Sequence, residues 1–169
     1  MTLSDKIREL GSYGSSKKYV NNTKGVNSRL DDLQAALLSV KLNYLDDQNN
    51  RRRAVAVEYC ARIDNPLIHL SPVGGLEHVY HLFVVRTSYR EELAEFLNEN
   101  GVQTLIHYPI APHKQKAYIE LKDLYLPISE LMHEEVLSLP ISPVMTSIDI
   151  DLVINLCNSF HTSGKKIEV

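Results

Sequence analysis

The stretch Gly25-Val26-Asn27-Ser28-Arg29-Leu30-Asp31-Asp32-Leu33-Gln34-Ala35-Ala36-Leu37 decides how the rest of the chain is read. It leads from a polar loop into a long amphipathic run. Leu30, Leu33, Leu37, Val40 and Tyr44 recur at intervals of three and four, which lines one helical face. Leu38, Leu42 and Leu45 widen that stripe beyond what one covering layer needs. Ser28 stands where an N-cap is expected, and Asp31 and Asp32 suit the positive end of a helix. The pattern predicts a helix from about Arg29 to about Ile63, interrupted at most by Asp46-Asp47-Gln48-Asn49-Asn50. At ~1.5 Å per residue it would span roughly 50 Å, the length of a spine between domains or of an oligomer interface. Arg51-Arg52-Arg53 lies in its middle, but successive helical residues point about 100° apart. The triplet therefore reads as a solvated face rather than a phosphate patch.

Upstream, Thr2 to Leu10 is a short helix with Leu3, Ile7 and Leu10 on one face and Ser4 as its expected cap. Two glycines and three serines between Gly11 and Tyr19 then break helix. A loop of this length is either a floppy arm or a functional segment ordered by a partner. Downstream of Asp64-Asn65-Pro66 the period changes. Leu67–Leu70 and the β-branched and aromatic run Val79–Val85 read as strands. Tyr89–Asn100 reads as a helix capped by Ser88 and stopped by Gly101, and Val102–Tyr108 as a further strand. Prolines at 109, 112, 127, 140 and 143 punctuate the remainder of the chain: a helix over 129–136, an extended Ser138–Ile141, and a closing helix over 148–160 capped by Ser147. Strand, helix, strand in close order predicts an α/β fold of the α+β type, a small sheet with helices on one side behind one long N-terminal helix. The expected division is 1–28, helix and polar loop; 29–63, long helix; 64–169, small α/β domain.

Composition narrows the function classes. The chain has 169 residues, 44% hydrophobic and 23% charged, with a net charge of −3, which gives no electrostatic reason to expect nucleic acid or an anionic membrane. No apolar run approaches the ~20 residues of a membrane span. Cys60 and Cys157 both fall in helical patterns and read as reduced core residues of a cytoplasmic protein. There is no G-x-S-x-G, P-loop or G-x-G-x-x-G motif.

The polar residues with chemical promise gather around His107-Tyr108-Pro109, with His113 and Tyr118 close behind. Two imidazoles and two phenols at a strand end can hydrogen-bond phosphates or sugar hydroxyls. Zinc is the competing reading, with His78 and His81 as further ligands, but the spacing fits no zinc pattern. Histidines satisfied by backbone carbonyls are the plain structural alternative.

Several separated motifs resemble one family. Gly25–Leu30 followed by Leu33-Gln34-Ala35-Ala36 resembles the segment that opens the long helix in the DegT/StrS group of PLP-dependent nucleotide-sugar aminotransferases. Leu10–Ser15 is similar to the loop before it, and Arg52, Arg53, Ala56 and Tyr59 fit the same helix. His107-Tyr108-Pro109 through His113, Gln115 and Tyr118 resembles the group's histidine-tyrosine-proline motif, and Leu137–Ile141 its late extended segment.

This resemblance implies the small antiparallel-rich sheet of a fold-type I C-terminal domain. It also implies a large N-terminal domain outside this chain, bearing the Schiff-base lysine and the acid that pairs with the pyridine nitrogen of PLP. None of the chain's lysines lies in anything like that lysine segment, so alone it is expected not to transaminate. Asn27 is implied to reach the PLP phosphate of a neighbouring subunit. Arg29, His107, Tyr108 and His113 are implied near a nucleoside-diphosphate keto-sugar, with glutamate as amino donor, in polysaccharide or related glycan synthesis. Arg29 is read equally well as a first-turn arginine in a salt bridge. The expected partners are a second copy of the chain or the large domain, held through the long helix. A non-catalytic small-molecule-binding module and an interaction protein built on the long helix are the alternatives.

Overall fold

The computed structural model describes residues 2–17 and 19–162. The last stretch of the expected 64–169 domain, 163–169, thus lies outside the described residues. The chain divides between Leu45 and Asp46 into two compact units. The boundary falls inside the run expected as one helix.

The first unit begins with α1, Leu3–Gly11. Thr2, not Ser4, is its cap: the Thr2 hydroxyl accepts from the Asp5 amide while the Asp5 carboxylate accepts from the Thr2 amide. The glycine- and serine-rich stretch is not an irregular loop. It forms an antiparallel hairpin of β1, Ser15–Lys17, and β2, Val20–Asn21, with Ser15 opposite Asn21. Gly14 sits at φ +76, and a Cβ there would lie 1.7 Å from the Thr23 carbonyl oxygen, so only glycine closes this turn. The next segment is stitched beside α1: Val26 N–H donates to Leu10 O at 2.8 Å, Tyr13 N–H to Val26 O at 3.0 Å and Ser28 N–H to Gly11 O at 2.9 Å.

The single long helix is corrected to two. α2 runs Asp32–Leu42 and α3 Leu45–Arg62, with the break at Asn43–Tyr44 rather than at 46–50. The N-cap position of α2 is Asp31, and the expected cap Ser28 uses its amide in the loop. α2 buries no residue: Leu33 is 74% exposed, Leu42 68% and Leu37 61%.

The second unit is built on a three-stranded antiparallel sheet in the order β3-β4-β5: His69–Leu70, Phe83–Arg86 and Val136–Leu139. Phe83 pairs with Leu139 and Val85 with Leu137, so the apolar residues of both strands share one face. Against them pack Val55, Ala56, Tyr59 and Ile63 of α3 and the turn after it, Leu93 and Leu97 of α4 (Arg90–Glu99), and Val153, Ile154 and Cys157 of α6 (Ser147–Ser159). Burying each such aliphatic side chain contributes roughly 1.5–3 kcal/mol. Tyr59, fully buried, meets Phe83 edge-on at 5.0 Å and donates its hydroxyl to Pro140 O at 2.9 Å.

Other boundaries shift. Tyr89, not Ser88, precedes α4, and Gly101 ends its turn at φ +82 as expected. Thr146, not Ser147, caps α6 through a capping box with Asp149. The expected strand over 102–108 reduces to one bridge, Leu105 to Ser138. Pro109 and Pro112 come directly after it, and they supply no ladder donors. From there the chain makes two short 3-10 turns, Pro112–Lys114 and Lys116–Leu121, before α5, Pro127–Glu135.

Candidate functional site

In the first unit, the candidate cofactor residue Asn27 stands on an exposed stretch held flat by its bridge to Ser12. Its Oδ1 accepts from Arg29 Nε at 3.2 Å. That bond engages the amide oxygen, and the amide nitrogen carries two N–H donors of the kind a phosphate oxygen accepts. Arg29 is exposed and donates to Asn27, and it makes no ion pair with a carboxylate among the described residues. With Ser12, Ser16, Lys17 and the hairpin it lines a concavity of about 630 Å³, cationic and rich in hydroxyls.

In the second unit, His107 Nδ1 lies 2.9 Å from the Oγ of Ser138, itself buried on β5. The bond fixes the imidazole and leaves Nε2 with no partner among the described residues. The Tyr108 ring stands edge-on to His107 at 5.5 Å and is 66% exposed. His113 is different: it is 4% exposed, and its Nε2 sits 2.9 Å from Glu130 Oε1. Glu130 also takes the Lys114 ammonium at 3.4 Å, and its carboxyl lies below the usual range, chiefly through the His113 bond. Tyr118, 50% exposed, ends the same excursion.

Glu130, Ser138 and His133, whose Nδ1 meets the Tyr108 carbonyl, were not expected from the sequence. Glu130 and His133 fall three apart in a predicted helix, a spacing that puts both on one face. That was the available signal.

No group of three His, Cys, Asp or Glu residues placed to hold a metal ion occurs among the described residues. His78 Nδ1 instead accepts from the Tyr80 amide at 3.0 Å. Arg53 donates to the carbonyls of Leu76 and His78 and so holds a loop, while Arg51 pairs with Asp47 and Arg52 with Asn49 along α3. Burial pushes the Cys157 thiol up to about 12, and Cys60 is raised for the same reason, so neither is a poised nucleophile. A larger groove, about 1100 Å³ between α4 and α6, is lined by Glu91, Glu95, Asp149 and Met145 and includes none of the candidate residues. No helix among the described residues is long and apolar enough to cross a membrane.

Comparison with known proteins bears on both clusters. The profile of the DegT/DnrJ/EryC1/StrS aminotransferase family matches residues 1–158. A dTDP-3-amino-3,6-dideoxy-alpha-D-galactopyranose transaminase of Aneurinibacillus thermoaerophilus is 55% identical over 159 residues, covering 94% of this chain and 44% of that protein. Streptomyces venezuelae DesV, solved in complex with a ketimine intermediate, superposes with a TM-score of 0.88 at 41% identity, over 92% of this chain and 43% of that one. A Bacillus subtilis protein solved with bound cofactor PMP superposes at 0.82 with 31% identity, over 92% and 38%. The chain thus spans less than half the length of the relatives it matches. The helix and small antiparallel sheets described above are those of fold-type I PLP-dependent aminotransferases, and the chain belongs to the DegT/DnrJ/EryC1/StrS aminotransferase family.

Proposed function

We propose that this chain is the C-terminal part of a PLP-dependent aminotransferase acting on a nucleoside-diphosphate keto-sugar, with glutamate as amino donor, in glycan biosynthesis. The observation that carries this reading is the family match over residues 1–158 together with a dTDP-sugar transaminase at 55% identity. PLP, when bound, supplies the electron sink for amino transfer. The residues present fit the phosphate end of that group. Asn27, its oxygen engaged by Arg29, offers amide donors to the phosphate, and Arg29 adds a fixed positive charge. His107, fixed through Nδ1 by Ser138, presents Nε2 to a diphosphate or sugar oxygen, and the exposed Tyr108 phenol adds a second group. Buried His113 belongs to the same site through the segment it anchors.

In this reading the Schiff-base lysine comes from a large domain that pairs with this chain, together with a second copy of the chain. The exposed apolar face of α2 is where such a partner seats, and the chain alone does not transaminate.

The test is reconstitution with a lysine-bearing domain, reading PLP content and sugar-dependent turnover. Asn27→Ala removes a charge-assisted hydrogen bond and weakens PLP retention by about one to two decades. His107→Ala raises the sugar requirement and leaves PLP content unchanged. Equal loss of PLP in both, or no effect in either, refutes the residue assignment.

A further inference from the structure

Helix α5 holds the segment 108–113 at both ends. Glu130 and His133 lie three apart on one helical face. His133 Nδ1 donates to the Tyr108 carbonyl, and because a carbonyl only accepts, the ring proton sits on Nδ1. Glu130 Oε1 accepts from His113 Nε2 at 2.9 Å, and also from the Leu126 amide at 3.2 Å and the Lys114 ammonium. An ionised carboxylate only accepts, so His113 carries its proton on Nε2. Each imidazole thus carries a proton on the nitrogen turned to its partner, Nδ1 in His133 and Nε2 in His113.

The far end of α5 is itself anchored. Arg86 donates twice to the Glu135 carboxylate, at 3.1 and 2.7 Å, the Thr87 amide donates to Glu135 O at 3.1 Å, and Arg90 donates to the His133 carbonyl. Apart from α5, the segment is held by the burial of Ala111 and by turn bonds from the residues after it, Lys114 N–H to Ala111 O at 2.9 Å and Gln115 N–H to Pro112 O at 3.1 Å. Pro109 and Pro112 supply no amide donors, and residues 106–111 belong to no described helix or strand.

We propose that Glu130 and His133 are positioning residues, which hold the 108–113 segment so that His107 and Tyr108 meet a nucleoside diphosphate-sugar. The assignment rests on the nucleotide-sugar reading of His107 and Tyr108. Neither residue touches the ligand; each acts through the backbone or ring it grips.

The test uses the full 169-residue chain, with dTDP as the probe. Long-range ¹H–¹⁵N spectra should show a proton on Nε2 of His113 and on Nδ1 of His133. Glu130→Ala and His133→Ala should weaken dTDP binding by about tenfold or more. Glu130→Gln keeps an acceptor for Nε2–H, and His133→Asn keeps a donor near the Nδ1 position, so both should bind within about threefold of the parent. A purely structural role would lower stability in all four without this split. Methyl shifts of Val85 and Leu137 report whether the core is intact.

If the parent binds dTDP and all four variants bind equally well, the proposal is overturned. If the parent does not bind dTDP, the nucleotide-sugar reading fails, and the ring protons decide the rest. In that case, loss of the Nε2–H signature in Glu130→Ala with exchange-broadened amides at Ile110, Ala111 and His113 upholds the grip, and an unchanged spectrum overturns it.

Discussion

The Asn65 side-chain amide donates to the Phe160 carbonyl at 2.9 Å and to the Cys157 carbonyl at 2.7 Å, joining the turn after α3 to the end of α6 across 95 positions. Its oxygen accepts from the Leu67 amide at 3.0 Å, so one buried side chain satisfies three backbone groups. Asn65→Ala leaves them unpaired and should cost about 2–3 kcal/mol in urea unfolding. Asn65→Asp should cost more, because it faces a carboxylate with two carbonyls. A loss below about 0.5 kcal/mol for both would show that this tie does not hold the unit together.

The capping box of α6 gives a pH dependence. Asp149 is held below the ordinary carboxylate range, chiefly because it accepts the Thr146 amide and then the Thr146 hydroxyl. Since its folded value lies below its unfolded one, its contribution is present above the usual carboxylate range and is lost as pH falls through the folded value. Asp149→Asn should flatten the acid limb of the stability curve, and Thr146→Ala should cost about 1 kcal/mol at neutral pH. Identical acid limbs for parent and Asp149→Asn would contradict this.

Both caps show what the sequence did and did not reveal. Thr2-Leu3-Ser4-Asp5 and Thr146-Ser147-Ile148-Asp149 are each a threonine with an acid three places on, the capping-box spacing. In both cases the serine inside the box attracted the assignment, and only the reciprocal bonds settle it. The face of α6 was legible in periodicity: Ile150, Val153, Ile154 and Cys157 fall at helical spacing, the last three are buried and Ile150 is partly so. The break at Asn43–Tyr44 was not, since Leu42, Tyr44 and Leu45 continue the apolar spacing through it. Of the candidate site, Asn27 and His107 are named as site residues by the resemblance alone. The partners that orient them, Arg29 two residues on and Ser138 thirty-one away, required coordinates.

The α2 face carries a stability consequence. Leu33, Leu37 and Val40 are all at least 60% exposed and share one side of α2, an apolar stripe of the kind that drives association, and Leu42 stands exposed on the other side. Sedimentation velocity at tens of micromolar should show self-association. Leu33→Lys with Leu37→Lys should abolish it without lowering the melting temperature, because neither side chain is buried. A clean monomer for the parent chain would contradict the prediction.

Amino transfer itself is the most direct test of the central claim. The chain is combined with a lysine-bearing domain and PLP, then supplied with ¹⁵N-glutamate and a dTDP-keto-sugar, and the nucleotide-sugar fraction is read by mass spectrometry. The predicted result is a PLP-dependent amino-sugar nucleotide carrying the ¹⁵N label, abolished when this chain is omitted. A reconstituted complex that retains PLP yet transfers no label to any nucleotide keto-sugar would contradict the account.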